Sequence, residues 1–239
     1  MTIYRIDEKK AKWCPIPVSE LDAMLSKLIQ EGYGAIPVSA LKKNIAYSLQ
    51  YLEYLDKCLS ELSITSAIET QIYKNFICVG CGIIEAVLEF LLIKSGHHAV
   101  VESKEFFRSE TNWKKHASRM IKIECVVYEK LNGKKLVEMR FEAMIKRAED
   151  KKLLGPDHGV YAKLKKLRKL RNRIHLQLID SPTDTDWNAF GRSNLGSMAQ
   201  VLHAVFTGPL FKPDPKEKGY FDYLTGKKYK PIERAEMAF

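Results

Sequence analysis

The feature that most constrains this chain is a long apolar stretch, from Phe76 to Ile93, inside a helical pattern that runs from about 67 to 94. Its length raises the question of a membrane span, because about 20 apolar residues cross a bilayer. Glu85 and Glu89 lie within it, however, and charged side chains are rare inside membranes. We therefore expect a buried helix at the centre of a helical bundle, and no membrane partner.

The rest of the pattern is mainly helical. Apolar residues recur at spacings of three and four from Leu41 to Leu62, which indicates an amphipathic helix. Helices of this length with short connections favour antiparallel packing. The sequence therefore predicts a mainly all-α fold, an up-and-down helical bundle. We expect three parts: an N-terminal extension with a short helix over 1–36, the bundle domain over 37–207, and an irregular C-terminal tail with several prolines over 208–239.

The middle of the chain carries mixed signals. Residues 103–117 have the pattern of a helix. β-Branched residues then gather between Met120 and Tyr128, and Asn132-Gly133 is a typical turn. A small β-hairpin around 120–139 is one expectation, and a loop that leads directly into the next helix is the alternative.

Charge and cysteine content indicate a partner and a compartment. The chain has 39 Lys and Arg against 29 Asp and Glu, a net charge of +10, which suggests a nucleic-acid or phosphate partner. Its five cysteines are odd in number and most lie on apolar helical stretches, so we expect reduced thiols in the cytoplasm. Cys78 and Cys81 have C-x-x-C spacing without a second pair, which favours thiols of the core over a zinc or redox site.

Several enzyme classes lack their usual motifs. The chain contains no Walker loop and no G-x-G-x-x-G, G-x-S-x-G or H-E-x-x-H pattern. Nucleotide hydrolysis by a P-loop, dinucleotide redox chemistry, serine hydrolysis and zinc proteolysis therefore have no sequence support. We expect no metal and no cofactor.

Positive charge is concentrated in residues 163–173, which carry seven Lys and Arg and no acid. If this segment is helical, Leu167, Leu170 and Ile174 fall within a narrow arc and form a stripe that faces the core. The basic residues then lie on the remaining faces. This combination predicts an amphipathic helix whose polar surface is strongly cationic.

A second stripe on the same helix has the residue types for phosphate chemistry. Arg168, Arg171 and His175 lie at offsets of 0, +3 and +7, so a helix brings them together at its C-terminal end. Guanidinium groups bind phosphate bidentately, and an imidazole transfers protons near neutral pH. The stripe therefore favours a site for a phosphodiester.

The segment LRKLRNRIHL, together with the pattern before it, resembles the signature of the HEPN superfamily (higher eukaryotes and prokaryotes nucleotide-binding). The resemblance covers about residues 136–206, and the apolar helix over 67–94 fits the first core helix of that family's bundle. It implies a metal-independent endoribonuclease of a toxin or phage-defence type, in which the ribose 2′-hydroxyl attacks the adjacent phosphate. It also implies a homodimer with the motif helices facing each other across a two-fold axis. RNA is the implied substrate, and a cognate antitoxin or defence protein is an implied partner.

The resemblance leaves two arginines open as the phosphate-binding residue. The family places four to six residues between Arg and His. Arg168 is separated from His175 by six residues, but Lys169 occupies the position of the preferred polar residue. Arg171 is followed by the preferred Asn172, but only three residues separate it from His175. The implied roles are phosphate binding by Arg171 or Arg168, positioning by Asn172, and acid–base chemistry by His175.

Other charged residues would support such a site. Glu85 and Glu89 are four residues apart on the apolar helix, and a buried carboxylate needs a partner, so either could orient Arg168 or Arg171. The remaining cations are candidates for binding RNA through its phosphates: Lys163, Lys165, Lys166, Lys169 and Arg173.

A second interpretation uses the same helix without catalysis. A Lys- and Arg-rich amphipathic helix is usually a solvated face, and a histidine at a helix end is usually a cap or a surface residue. The chain would then be a non-catalytic HEPN-like helical module that binds RNA or a partner protein through its basic helix.

Overall fold

The computed structural model describes residues 14–30, 37–175, 177 and 181–225. Its α-helices are α1 (Val18–Leu25), α2 (Val38–Glu61), α3 (Ser66–Lys94), α4 (Phe141–Asp150), α5 (His158–Asn172), α6 (Asp186–Ala189), α7 (Arg192–Thr207) and α8 (Pro215–Gly219), followed by a 3-10 helix over Asp222–Leu224. The strands are β1 (Val100–Glu110), β2 (Lys114–His116), β3 (Arg119–Ile121) and β4 (Glu124–Leu136). The prediction of a mainly helical chain is confirmed.

Helix α3 forms the centre of the helical body. Helices α2, α4, α5 and α7 all pack against it, and its buried residues include Phe76, Ile84 and Leu88. By length and composition α3 could cross a membrane, but 61% of its most apolar window is buried inside the protein. The covering helices bring apolar stripes of their own, and burial of this surface drives the packing. The expected buried helix over 67–94 is therefore confirmed.

Helix α7 packs tightly against α3 at a glycine. A Cβ atom added to Gly80 would lie 2.7 Å from Cγ and 3.0 Å from Sδ of Met198 on α7. The sulfur of Cys81 lies 4.0 Å from the same Met198 sulfur. The Met198 side chain can pack this closely against α3 because position 80 has no side chain.

The strands form a long β-hairpin over residues 100–136, which we call the arm. Strand β1 pairs antiparallel with β4 from Val100 opposite Leu136 at the base, and the short strands β2 and β3 pair at the tip. At the base, Val137 N donates to Ala99 O over 3.1 Å, which joins the arm to the helical body. Beyond the base, nearly every residue of both long strands is exposed.

The predicted helix over 103–117 is wrong, because these residues contain β1 and β2. Their mixture of acids and bases is compatible with a solvated helix, but here opposite charges pair across the strands. Lys104 Nζ lies 2.9 Å from Glu129 Oε2, and Arg108 binds Glu124 on the opposite strand. Cross-strand pairs of this kind stabilise a hairpin. The strand partners are distant in sequence, so local patterning did not reveal them.

The predicted hairpin exists, but with other limits. It spans 100–136 rather than about 120–139, and Asn132-Gly133 is not its turn. These two residues lie inside β4 where its register with β1 shifts, and Gly133 has a φ of +107° that favours glycine. The Asn-Gly pair therefore marks a bulge in a strand.

Residues 208–225, expected as part of an irregular tail, belong to the helical body. Phe211 and Phe221 pack against Phe206 of α7 with ring centroids 5.0 and 5.2 Å apart. All three side chains lie in the same hydrophobic core as α1. The rest of the tail, 226–239, and residues 1–13 and 31–36 of the N-terminal extension lie outside the described residues. Two ion pairs join the C-terminal segment to the N-terminal region: Lys27–Glu217 at 2.5 Å and Lys216–Glu20 at 2.8 Å.

We expect Gly80→Ala to lower the free energy of unfolding by about 1–3 kcal/mol, because the added methyl group overpacks the contact with Met198. Gly82→Ala is the matched control on the same helix, since nothing lies within 4 Å of a Cβ there. It should raise the free energy of unfolding by up to about 1 kcal/mol, because alanine is the better helix former. Urea denaturation followed by circular dichroism measures both variants, and equal effects would contradict the close approach of α7.

Candidate functional site

Helix α5 presents its basic surface because its opposite face is buried in the body. Asp157 begins the helix by accepting a bond of 2.8 Å from Gly159 N. The buried residues are Val160, Tyr161, Leu164 and Leu167. The Tyr161 hydroxyl accepts from Leu154 N over 2.9 Å, so the chain before the helix is also fixed.

The predicted core stripe of this helix is shifted towards the N-terminus. Leu167 is buried as expected, but Leu170 is only partly buried and Ile174 is 52% exposed. The reason is that α5 ends at Asn172 and no longer follows the core beyond it. Tyr161 and Leu164, which lie off the predicted stripe, are buried within this single chain.

The end of the helix also changes the position of His175. The helix is followed by a turn at Arg173, whose N–H donates to Leu170 O over 3.0 Å. His175 comes next in an exposed bend. The prediction that it shares a helical stripe with Arg168 and Arg171 is therefore wrong, because a helical offset of +7 does not apply past the last turn. Asn172, the last helical residue, is also exposed.

Arg171 meets the apolar central helix at Glu85. Its Nη2 donates to Glu85 Oε2 over 2.9 Å, and its side chain remains 40% exposed. Burial raises the pKa of the Glu85 carboxyl, the Arg171 charge opposes this rise, and Glu89 adds to it. Glu89 itself is exposed on α3. The structure thus brings Glu85, and not Glu89, to an arginine of the basic helix.

Most of the other predicted phosphate-binding cations already have partners within the chain. Arg168 Nη2 donates to Glu142 Oε1 over 3.0 Å, and Arg173 pairs with Asp184. Within the described part of the chain, Lys166 and Lys169 make no ion pair. The two remaining lysines have these partners: Lys165 binds Glu149 at 2.5 Å and Lys163 binds the side-chain oxygen of Gln200 at 2.8 Å.

A second ion pair of α3, with a buried lysine, lies near Arg173, and the sequence analysis did not predict it. Lys74 of α3 is 7% exposed and its Nζ lies 2.8 Å from Asp186 Oδ2. Burial acts to raise the pKa of Asp186, but the bonds from Lys74 and Gln71 outweigh it and the pKa is lowered. The sequence does contain an indication of this ion pair, because a lysine within an apolar helix needs an anionic partner.

The two cysteines of α3 lie near these charges, and burial disfavours the thiolate form of both. Burial raises the pKa of Cys78, although the positive charges of Lys74 and Arg171 oppose the rise. Burial raises the pKa of Cys81 to about 12. Neither thiol therefore has the low pKa of a nucleophile. Across the residues with described positions, no group of three or more His, Cys, Asp and Glu side chains is placed to hold a metal ion.

The chemical capacity of the site lies at the exposed end of α5. The carbonyl groups at a helix C-terminus carry partial negative charge, so an anion there must be held by side chains. Arg171 is the residue placed to do this, because Glu85 fixes its position while its side chain remains 40% exposed. Asn172 and His175 follow at the surface with a hydrogen-bonding amide and an imidazole.

We expect the wild-type protein to lose stability relative to Glu85→Gln as pH rises above 4.5, the ordinary pKa of this carboxyl. A raised pKa means that the folded state keeps a proton that the unfolded state has lost. The resulting stabilisation is complete at low pH and disappears as pH rises through the folded-state pKa.

Urea denaturation of both proteins between about pH 4 and pH 7 gives this difference. Glu89→Gln, on the exposed face of the same helix, is the matched control. The opposite trend, in which the wild type gains relative stability with pH, would mean that the Arg171 ion pair outweighs burial.

Comparisons with protein-family models, with curated proteins and with solved structures found no match. The assignment of a site therefore depends on the chain's own residues. What those residues provide is one half-exposed arginine fixed by a carboxylate, with an amide and an imidazole beyond it.

Proposed function

We propose that this protein is a HEPN-like, metal-independent endoribonuclease of a toxin or phage-defence type. The observation that supports it is the position of Arg171. Its ion pair with Glu85 fixes the guanidinium group at the end of α5, and the exposed Asn172 and His175 follow it within four residues of the chain. Of the two arginines left open by the sequence, Arg171 is the better candidate for binding phosphate, because the side chain of Arg168 is only 18% exposed and already pairs with Glu142.

The proposed reaction needs no metal. His175 removes the proton from a ribose 2′-hydroxyl, and the 2′-oxygen forms a bond to the adjacent phosphorus. The bond from phosphorus to the 5′-oxygen breaks, and that oxygen takes up a proton. The products are a 2′,3′-cyclic phosphate and a 5′-hydroxyl. Arg171 stabilises the negative charge on the phosphate oxygens, and Asn172 orients them.

A homodimer is part of this proposal. One chain supplies a single imidazole at the site. The reaction needs one group to remove the proton from the 2′-hydroxyl and another to give a proton to the 5′-oxygen. A two-fold axis that brings two α5 ends together supplies a second imidazole. We place this assembly in the cytoplasm, where five free cysteines remain reduced, with an antitoxin or defence protein as its regulatory partner.

We expect the purified protein to cleave single-stranded RNA in the presence of EDTA, and His175→Ala to lower the rate by about 100-fold or more, as for loss of a general acid or base. Arg171→Ala should lower it as well. His158→Ala is the matched control, because it removes an exposed histidine at the opposite end of the same helix. Gel analysis of a labelled RNA measures cleavage, and unchanged cleavage in His175→Ala would exclude this residue.

A non-catalytic RNA-binding module is the second candidate. It is favoured by the ion pairs of Arg168 and Arg173, which reduce the charge available for catalysis, and by the exposed Lys166 and Lys169. In this alternative the polar face of α5 binds phosphates and no bond is broken.

For this candidate, we expect Lys166→Ala and Lys169→Ala each to lower the salt dependence of RNA binding. The slope of log K against log salt should fall by about 0.7 for each lost phosphate contact. His175→Ala should leave affinity unchanged and no cleavage should be detected. Fluorescence anisotropy at several salt concentrations measures the slope, and Lys43→Ala, on α2, is a charge-matched control.

A further inference from the structure

The arm presents more apolar surface to solvent than a two-stranded hairpin normally does. Its two long strands pair with each other and are exposed along almost their whole length. Large exposed side chains on it include Phe106, Trp113 and Tyr128, of which Trp113 is 63% exposed near the tip. Exposed apolar groups in such number usually belong to an interaction surface.

Charge is distributed unevenly along the arm. All five of its acidic residues form ion pairs within it: Glu102–Lys134, Glu105–Arg108, Glu110–Lys122, Glu124–Arg108 and Glu129–Lys104. The long strands are therefore nearly neutralised. Residues 111–123 contain no acid, and Lys114, Lys115 and Arg119 at the tip make no ion pair with any carboxylate of the described residues. The net charge of the arm is thus concentrated at its end.

The polarity of the residues at the tip distinguishes between a membrane surface and a hydrated polyanion as its partner. The turn is formed by Ala117 and Ser118, whose φ values of 49° and 50° fit a tight hairpin turn. His116 and Arg119 are paired immediately behind it. Three of the four residues at the apex are therefore polar, and the exposed Met120, Ile121 and Trp113 follow directly behind them. A tip that inserts into a membrane needs apolar groups at the apex, so a hydrated polyanion is the better match.

We propose that the tip of the arm binds single-stranded nucleic acid. Lys115 contacts a phosphate from one face of the β2–β3 pair, Lys114 and Arg119 contact phosphates from the opposite face as the nucleic-acid strand crosses the tip, and Trp113 stacks on a base. Cations that follow the backbone together with an aromatic ring that stacks on bases are the usual means of binding single strands. This surface is separate from the end of α5, and its binding does not depend on cleavage.

The test uses the full chain and a labelled oligothymidine of about 20 nucleotides, long enough for a binding site of this kind. DNA lacks the 2′-hydroxyl, so the proposed cleavage reaction cannot interfere. The double variant Lys114→Ala/Lys115→Ala should lower the slope of log K against log salt by about 1.4, which is the loss of two contacts to a single strand. Trp113→Ala should weaken binding by about tenfold, and Trp113→Phe should retain most of the affinity.

The matched control is Lys130→Ala/Lys135→Ala. It removes the same charge from the same hairpin, because these two exposed lysines of β4 also make no ion pair with a described carboxylate. The control should change the slope little. An equal effect of the two double variants would overturn the proposal, because the attraction would then depend only on total charge.

Two further outcomes would also overturn it. The first is that the wild-type chain fails to bind oligothymidine at low salt. The second is that it binds phosphatidylserine vesicles through Lys114 and Lys115 in preference to the oligonucleotide, which would make the tip a membrane contact. Circular dichroism of each variant verifies the fold, and the tip substitutions lie outside the hydrophobic core.

Discussion

The structure depends on covering helix α3, which is apolar on most of its faces and cannot remain in water. Helices from both halves of the chain pack around it. Burial also encloses two of its charged residues, Lys74 and Glu85, and each needs a partner of opposite sign. Asp186 and Arg171 provide these partners. These ion pairs therefore also hold Arg171, near the end of α5, and Asp186, at the start of α6, against the central helix.

The cations of α5 are limited in their capacity to bind phosphate, because several of them already form ion pairs within the fold. Arg171 neutralises a partly buried carboxylate, so a phosphate that binds there has to compete with Glu85 for the same guanidinium group. Arg168 and Arg173 are engaged by Glu142 and Asp184 in a similar way. The seven cations of residues 163–173 consequently offer a much weaker field than their number suggests. The catalysis proposed for this site would therefore depend on one well-placed arginine and not on total charge.

The features that the sequence could predict are those that arise from local periodicity. The length and burial of α3 follow from its composition, and the helical character of the chain follows from apolar spacing. The pair between Glu85 and Arg171 was among the predicted pairings, because a carboxylate in an apolar helix needs a cation. The other ion pairs of α5 could not be predicted, because Glu142 and Asp184 approach it only through the tertiary fold. The position of His175 was not predicted correctly, because the stripe required a helix as far as His175 and α5 ends at Asn172. Lys74 was predictable, since a lysine among apolar residues requires an acid.

The two ends of the arm lie side by side, with Val100 paired to Leu136. The chain therefore leaves the helical body and returns to it at nearly the same point, between α3 and α4. An excursion of this kind adds surface without changing the core, so its length and sequence are free to vary independently of the bundle. Replacing the arm with a short turn should leave a foldable helical domain, which makes the hairpin a separable module of this protein.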